Sequence, residues 1–511
     1  MSHHRTIRLH SLALATLFLL WTLPCIAGSV SVVTYHNDNV RDGVNPNETT
    51  LNLSNVNSRQ FGKRFTRPVD GQIYAQPLYI PNLTINGHRH NVVYVATEND
   101  TVYAFDGDTP QTALWKKHLA TAIQNSDAEG IKPLLGITST PVIDTTTGTM
   151  YVVTAGSENG HRVFRLHALS LTTGNERFGG PAVITGTVDG NGWDSHNGRI
   201  TLESGCYQRD GLALDPATNA VYISFGHCPH GWVLAYDKAS LRQIAILNVT
   251  PDGAGGGLWG GTPAVDDLTG DLFLITGVDI GDPAPDYNDS AMRLGPYLGV
   301  LDYFKPSNET YLRHNDADFG SGSPILMPDN PSDHPHELIG GGKDGRIFVM
   351  NRDNLGGYQL TNHVIQTVQT GRSQFDNIFA TPTFWNNTVY YHCNGDVVKA
   401  YGWNPDTGLL SANPVSHGND VYQSHGATSS LSSNGNTEGI LWEIDNTNHS
   451  SGGPAILHAY RATNLQEELY KSTQAGSRDK AGPALKFTVP TIADGHVYVG
   501  TSTELDVYGL L

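Results

Sequence analysis

A short phrase returns eight times along this chain, and its period restricts the fold more than any other property. In residues 92–109, VVYVATENDTVYAFDGDT, two short alternating strands are joined by a polar turn, the second ending in an acidic, small-residue loop. The second half recurs as AFDGDTPQTALW from Ala104, ALSLTTGNERF from Ala168, AYDKASLRQIA from Ala235 and VLDYFKPSNETYL from Val300. VMNRDNLGGYQL from Val349, AYGWNPDTGLL from Ala400, AYRATNLQEELY from Ala459 and VYGLL from Val507 complete the series. The units lie roughly 50 to 65 residues apart, the range of propeller blades and not of helical solenoids.

A second phrase precedes each unit: AQPLYI, STPVID, GLALD, GTPAVD, GSPILM, ATPTFW, ATSSL and VPTIAD. Six of these carry a proline, at Pro77, Pro141, Pro263, Pro324, Pro382 and Pro490. Proline cannot donate to a ladder, so it suits the start of a blade's innermost strand. Each unit reads as three strands, a turn such as TTG or DTG, and a fourth strand. The last unit stops at Leu511 before its fourth strand, while FGKRFTRPVDG (residues 61–71) has no unit of its own. Pairing these two ends is predicted to close the ring and remove an exposed edge.

The expected fold is therefore all-β, an eight-bladed propeller of four-stranded antiparallel blades. Seven blades is the alternative if the irregular unit at Ser424–Tyr470 is not a full blade. Residues 61–511 form one domain, because blades bury their faces only against neighbours. An extended segment occupies 28–60.

Residues 1–27 read as a signal peptide. Arg5 and Arg8 precede an apolar run, Leu12 to Leu23, too short to span a bilayer, and Ala27 offers a small residue before the cut. The expectation is an exported protein, secreted or periplasmic, without a transmembrane anchor. A formal charge of −18 disfavours nucleic acid and anionic membrane surfaces, which need cationic neutralisation. Cys206 and Cys228 can pair in an oxidising compartment, leaving Cys393 over. No CxxCH marks a covalent haem. Nine Asn-x-Ser/Thr sequons occur and matter only in a host that glycosylates.

GHCPHGW sets His227, Cys228 and His230 close together, with His196 and Cys206 upstream. These ligand types suit zinc or copper. The spacing matches no established metal motif, and a Cys206–Cys228 bridge would consume the thiol.

The units resemble the quinoprotein repeat, roughly Ala-x-Asp-x-x-Thr-Gly-x-x-x-Trp, over nearly the whole chain after the leader. The opening TYHNDNVRDGVNPNETTLNLSNVNSRQFGKRF is similar to the start of quinoprotein alcohol dehydrogenases. VDGQIYAQPLYI, HNVVYVATENDTVYAFD, GGGKDGRIFVMNRDNLG and KFTVPTIADGHVYVGTSTELDVYGLL resemble exported PQQ-like propellers more closely (PQQ is pyrroloquinoline quinone). The resemblance implies the propeller fold. It implies no single function, because the repeat serves both dehydrogenases and cofactor-free scaffolds.

Within the resemblance, Trp259 in GGGLWGGTPAVDD falls where dehydrogenases place a tryptophan beneath the quinone; a tryptophan packed between blades is the other reading. Lys343 in GGGKDGRIF matches a cation set against the quinone, or is a solvated turn lysine. Glu158 in AGSENGHR falls near a calcium-binding glutamate, or is a loop acid. The family's asparagine ligand is replaced by Val278, which cannot coordinate, and Asp279 beside it would need a shifted loop. Asp289 in DYNDSAMRL is the nearest counterpart of the catalytic aspartate that takes the hydroxyl proton, or is a loop acid beside the Asn288 sequon. The adjacent cysteine pair of many family dehydrogenases is absent. HNDADFGSGS, from His314, is polar ahead of an inner strand and is expected to line the channel mouth.

Two functions are open at this level. One is a non-catalytic binding or assembly scaffold that engages a small molecule, glycan or protein at its channel face or rim. The other is a quinone-dependent oxidoreductase of alcohols or sugars, with pyrroloquinoline quinone and calcium in the central channel.

Overall fold

The computed structural model describes residues 1, 30–126, 130–278, 286–371 and 377–511. Apart from Met1, the leader expected over 1–27 lies outside them, as does Asp279.

Among the described residues, eight four-stranded units follow one another around a ring, with almost no helix. The first blade shows the plan. Leu78–Ile85 is innermost, His88–Thr97 and Thr101–Asp106 form the hairpin of the opening phrase, and Trp115–His118 is outermost. Hairpin register runs from Val92 opposite Asp106 to Thr97 opposite Thr101. Thr101–Asp106 is buried at every position, on both faces, because neighbouring blades cover both. The six prolines each stand one residue before an innermost strand, at Leu78, Val142, Ala264, Ile325, Thr383 and Thr491. The missing amide hydrogen therefore costs no ladder bond.

The irregular unit is a full blade: Ser430–Asn434, Thr437–Asp445, Ile456–Arg461 and Glu468–Lys471. The ring thus has eight blades and not seven. The last blade is completed by Phe61–Pro68, antiparallel to Glu504–Leu510, with Phe61 opposite Leu510 and Pro68 opposite Glu504. Phe61 is fully buried, its ring 4.9 Å from Tyr470 and 5.4 Å from Trp442. Burial of such a side chain contributes about 1.5–3 kcal/mol to holding the ring closed.

Ahead of that strand, residues 32–45 travel once around the axis and touch every blade in order. Val32 exchanges backbone bonds with Tyr79, and the Val33 carbonyl accepts from Ile143 N–H. Thr34 and Asn39 side chains donate to the Leu212 and Leu214 carbonyls. The carbonyls of Asn39, Val40, Asp42 and Gly43 then accept from Val265, Leu326, Phe384 and Leu431. Asn45 donates to the Ile492 carbonyl of the last blade.

At the hub of this strap the Arg41 guanidinium is fully buried. It donates to Thr34 Oγ1, to the Tyr35 and Asp38 carbonyls, and twice to the Pro263 carbonyl, at 2.8–3.0 Å. One end of the channel is therefore closed by the protein's own chain. No helix among the described residues is long and apolar enough to cross a membrane.

Candidate ligand-binding cavity

Among the described residues, the other end of the channel is open. Where the chain approaches each innermost strand it passes close to the axis, and several of these approaches line a cavity of about 970 Å³. Its floor is aromatic. The Trp259 ring lies 5.1 Å from His227 and 6.3 Å from Phe379; Phe379 lies 4.8 Å from His425 and 6.0 Å from Phe487. Trp259, Phe379 and Phe487 also border a smaller void that reaches Tyr35 of the strap, so these rings form the partition between the open cavity and the closed hub.

Three cations stand on this floor. The Lys343 ammonium is 5.2 Å from the Trp259 ring centre, the Arg209 guanidinium 4.1 Å from that of Phe487, and the Lys486 ammonium 5.5 Å from the same ring. Cation–π attraction of about 0.5–2 kcal/mol per pair helps to hold charge above the floor. Lys343 is further paired with Asp318 at 2.5 Å and Asp316 at 3.2 Å. Burial opposes its charge, but the two carboxylates outweigh that and raise its pKa above the usual lysine value. His425 is driven the other way. Burial first, then the Lys486 charge, lowers its pKa to about 4, so near neutral pH it is an uncharged ring.

Four non-glycine lining residues hold positive φ: His227 at 49°, Asp316 at 49°, His425 at 87° and Phe487 at 66°. Such backbone costs of order 1–3 kcal/mol per residue and persists where the surroundings dictate it, characteristically at ligand sites.

The residues singled out from sequence are distributed unevenly about this cavity. Trp259, Lys343, His227, Cys228 and Val278 line it. Asp289 does not. It lies behind the wall, fully buried, where its carboxylate accepts the Phe319 N–H at 3.0 Å and burial raises its pKa well above the usual range. Glu158 is outside the cavity lining too, held by Arg165 at 2.6 Å in a two-pronged pair. His230 is buried beside the cavity with both ring nitrogens committed, Nδ1 to the Thr250 carbonyl and Nε2 to Asp194, each at 2.8 Å. With both nitrogens engaged, His230 does not join His227 in one ligand set. Cys206 and Cys228 are disulfide-bonded, and Cys393 is a buried, unbridged thiol.

The carboxylates that do line the cavity among the described residues are Asp316 and Asp318, from the HNDADFGSGS stretch expected at the channel mouth, and Asp318 is the buried one. Asp318 is held in place from two sides. Its Oδ1 accepts the Val278 N–H at 2.8 Å while Oδ2 meets Lys343. Gly277 makes room for it, since a Cβ there would stand 2.5 Å from Asp318 Oδ1. Phe379, His425, Phe487 and Arg209 carried no sequence signal beyond their position just ahead of inner strands. A separate cluster joins His458 and Glu468 on the two outer strands of the seventh blade to Asp420 in the loop leading into that blade. Its carboxylates are already engaged, with His458 Nδ1 2.6 Å from Glu468 and Lys471 Nζ 3.0 Å from Asp420.

No family model matches the chain, and no curated protein does. Solved structures do. A quinohemoprotein alcohol dehydrogenase of Pseudomonas putida aligns with 95% of this chain and 80% of its own, at 13% identity and TM-score 0.61. A quinohemoprotein alcohol dehydrogenase of Comamonas testosteroni aligns with 94% and 80%, at 13% identity and TM-score 0.60. A europium-containing methanol dehydrogenase aligns with 94% and 98%, at 13% identity and TM-score 0.58. At this identity the likeness establishes a shared fold.

Proposed function

We propose that the protein binds a flat, anionic ring compound in the central cavity and works as a binding propeller. The observation that carries this reading is the continuous aromatic floor of Trp259, Phe379 and Phe487 with Lys343, Arg209 and Lys486 set on it. Rings stack on such a floor, and point charges meet carboxylates or sulfonates at its edge.

Pyrroloquinoline quinone, a planar tricarboxylate, fits the organic half of this description. Trp259 would face its plane, the three cations would meet its carboxylates, and when bound it supplies a two-electron acceptor. A calcium ion beside it does not fit the described residues. Val278 offers no oxygen on its side chain, Glu158 is held by Arg165 away from the cavity lining, and Asp318 and Asp316 are engaged by Lys343. An oxidoreductase of alcohols or sugars is the second reading, supported by the Asp318 carboxylate beside Lys343 and Trp259 as a proton acceptor within the cavity.

The test is titration of the protein with pyrroloquinoline quinone, followed by quenching of tryptophan fluorescence. Saturable micromolar binding, insensitive to chelator and weakened at least about tenfold by Lys343→Gln, is the expected result. Absence of saturable binding at micromolar quinone removes the quinone. If naphthalene sulfonate, a simpler planar anion, also fails, the binding reading falls. Dye reduction with a panel of alcohols and aldoses decides the second reading.

A further inference from the structure

The cavity is wide for one flat molecule: about 970 Å³ lies at the upper end of the roughly 300–1,000 Å³ of small-molecule sites. Its mouth holds a second tryptophan. Trp193 lines the same cavity as Trp259, yet 76% of its surface is exposed, against 9% for Trp259. Trp193 belongs to no blade. It sits at the tip of an excursion between the second and third blades, a small hairpin of Thr187–Asp189 with Arg199–Thr201.

The hairpin tip is fixed in place by its neighbours. Asn191 gives its backbone N–H and its side-chain amide to Asp252 Oδ1, at 2.9 and 3.0 Å, and Gly192 N–H donates to the Pro251 carbonyl. Asp194, directly after the tryptophan, accepts from buried His230 Nε2 at 2.8 Å. Gly192 lets the tip lie this close, since a Cβ there would be 3.0 Å from His230 Cε1. The Cys206–Cys228 bridge ties the end of the excursion to the loop that carries His227 and His230.

A large apolar ring carried on an anchored loop at the edge of a cavity offers contact area with only two side-chain torsions to order on binding. Resting on the binding reading above, we propose that Trp193 is a ligand-contacting residue that stacks on a second, flat ring protruding from the cavity, with Asp194 and His230 as its positioning residues. The ligand class is thereby narrowed to two-part molecules: an anionic ring seated on Trp259 and an uncharged aromatic ring at the mouth. The GHCPHGW stretch finds its use here. His227 belongs to the floor and His230 is the strut for the mouth.

Two probes that differ by one ring test this, measured by titration calorimetry on the full chain. Naphthalene sulfonate carries the anionic ring alone, and anilinonaphthalene sulfonate adds a pendant phenyl. Trp193→Ala is expected to weaken the two-ring probe about three- to tenfold and to leave the one-ring probe within about twofold, while Trp193→Phe restores most of the loss. Asp194→Ala is expected to behave like Trp193→Ala, and Asp194→Asn, which keeps an acceptor for His230, to behave like wild type. Lys343→Gln should weaken both probes alike. If Trp193→Ala changes both probes equally or neither, the mouth assignment is overturned while the binding reading stands. If neither probe binds the wild-type protein, the mouth assignment falls, and the binding reading falls with it when pyrroloquinoline quinone also fails to bind.

Discussion

The two ends of the central channel are built from the same eight inner strands and are finished in opposite ways. At the hub the strap supplies a partner to each blade, and the most demanding group there, Arg41, makes five hydrogen bonds to other protein groups. At the open end, rings and cations face a cavity, and four side chains hold strained backbone to do so. Satisfied polar groups buried in a hub specify and stabilise a fold. Strain and presented charge are what a fold carries for something that is not part of it. The comparison predicts that damage to the hub lowers stability and spares binding, and that damage to the rim does the reverse.

The largest effect should come from Arg41→Ala. Without the guanidinium, the Tyr35, Asp38 and Pro263 carbonyls lose their donor inside the hub, at an expected cost of about 3–5 kcal/mol. Urea denaturation measures this. Affinity for pyrroloquinoline quinone should stay within about twofold of wild type; a large loss of affinity would show that the two ends are not separable. Next is the double substitution Cys206→Ser with Cys228→Ser. Losing the bridge should cost about 2–4 kcal/mol and loosen the rim selectively. Amide exchange is then expected to quicken over residues 187–206 while residues 32–45 stay protected.

The sequence announced the hub end poorly and the ring well, for physical reasons. Blades must repeat because each buries its faces against a copy of itself, so period, prolines and terminal pairing were all legible. The alternation expected within hairpins is muted in strands such as Thr101–Asp106, where cover on both faces leaves no polar side to mark. The strap has no period of its own, because eight different blades are bonded chiefly through its backbone, which any side chain supplies. Around the cavity, Trp259 and Lys343 were singled out through family resemblance, and both line it. Asp289, between the second and third strands of the fourth blade, was singled out through the same resemblance, whereas Asp318 stands just ahead of the fifth blade. What places Asp318 in the cavity is the absence of a Cβ at Gly277 and the N–H of Val278, neither of which spacing encodes. Phe379, His425 and Phe487 look like ordinary core rings until the ring closes and brings them together.

The smallest effect sharpens the comparison at the boundary between the two ends. Asp210 borders the void beneath Trp259, accepting from Ser224 with Arg209 nearby. Burial raises its pKa to about 7, against the lowering influence of Ser224, Arg209 and the Gly261 N–H. Folded protein therefore holds a proton that the unfolded chain has already released above pH ~4. The stability it contributes is complete below that point and is lost as pH rises towards 7, at roughly 1.4 kcal/mol per pH unit for a single such group. Asp210→Asn keeps the shape of the protonated carboxyl and cannot ionise, so it should flatten this slope. Urea midpoints at pH 5 and pH 8 measure the difference: the variant gains on wild type as pH rises. Glu98, also raised to about 7 by burial, leaves a residual slope of the same sign in the variant. An Asp210→Asn variant with the wild-type slope would mean that the void beneath the floor is wet enough to hold the charge, and that the partition between hub and cavity leaks.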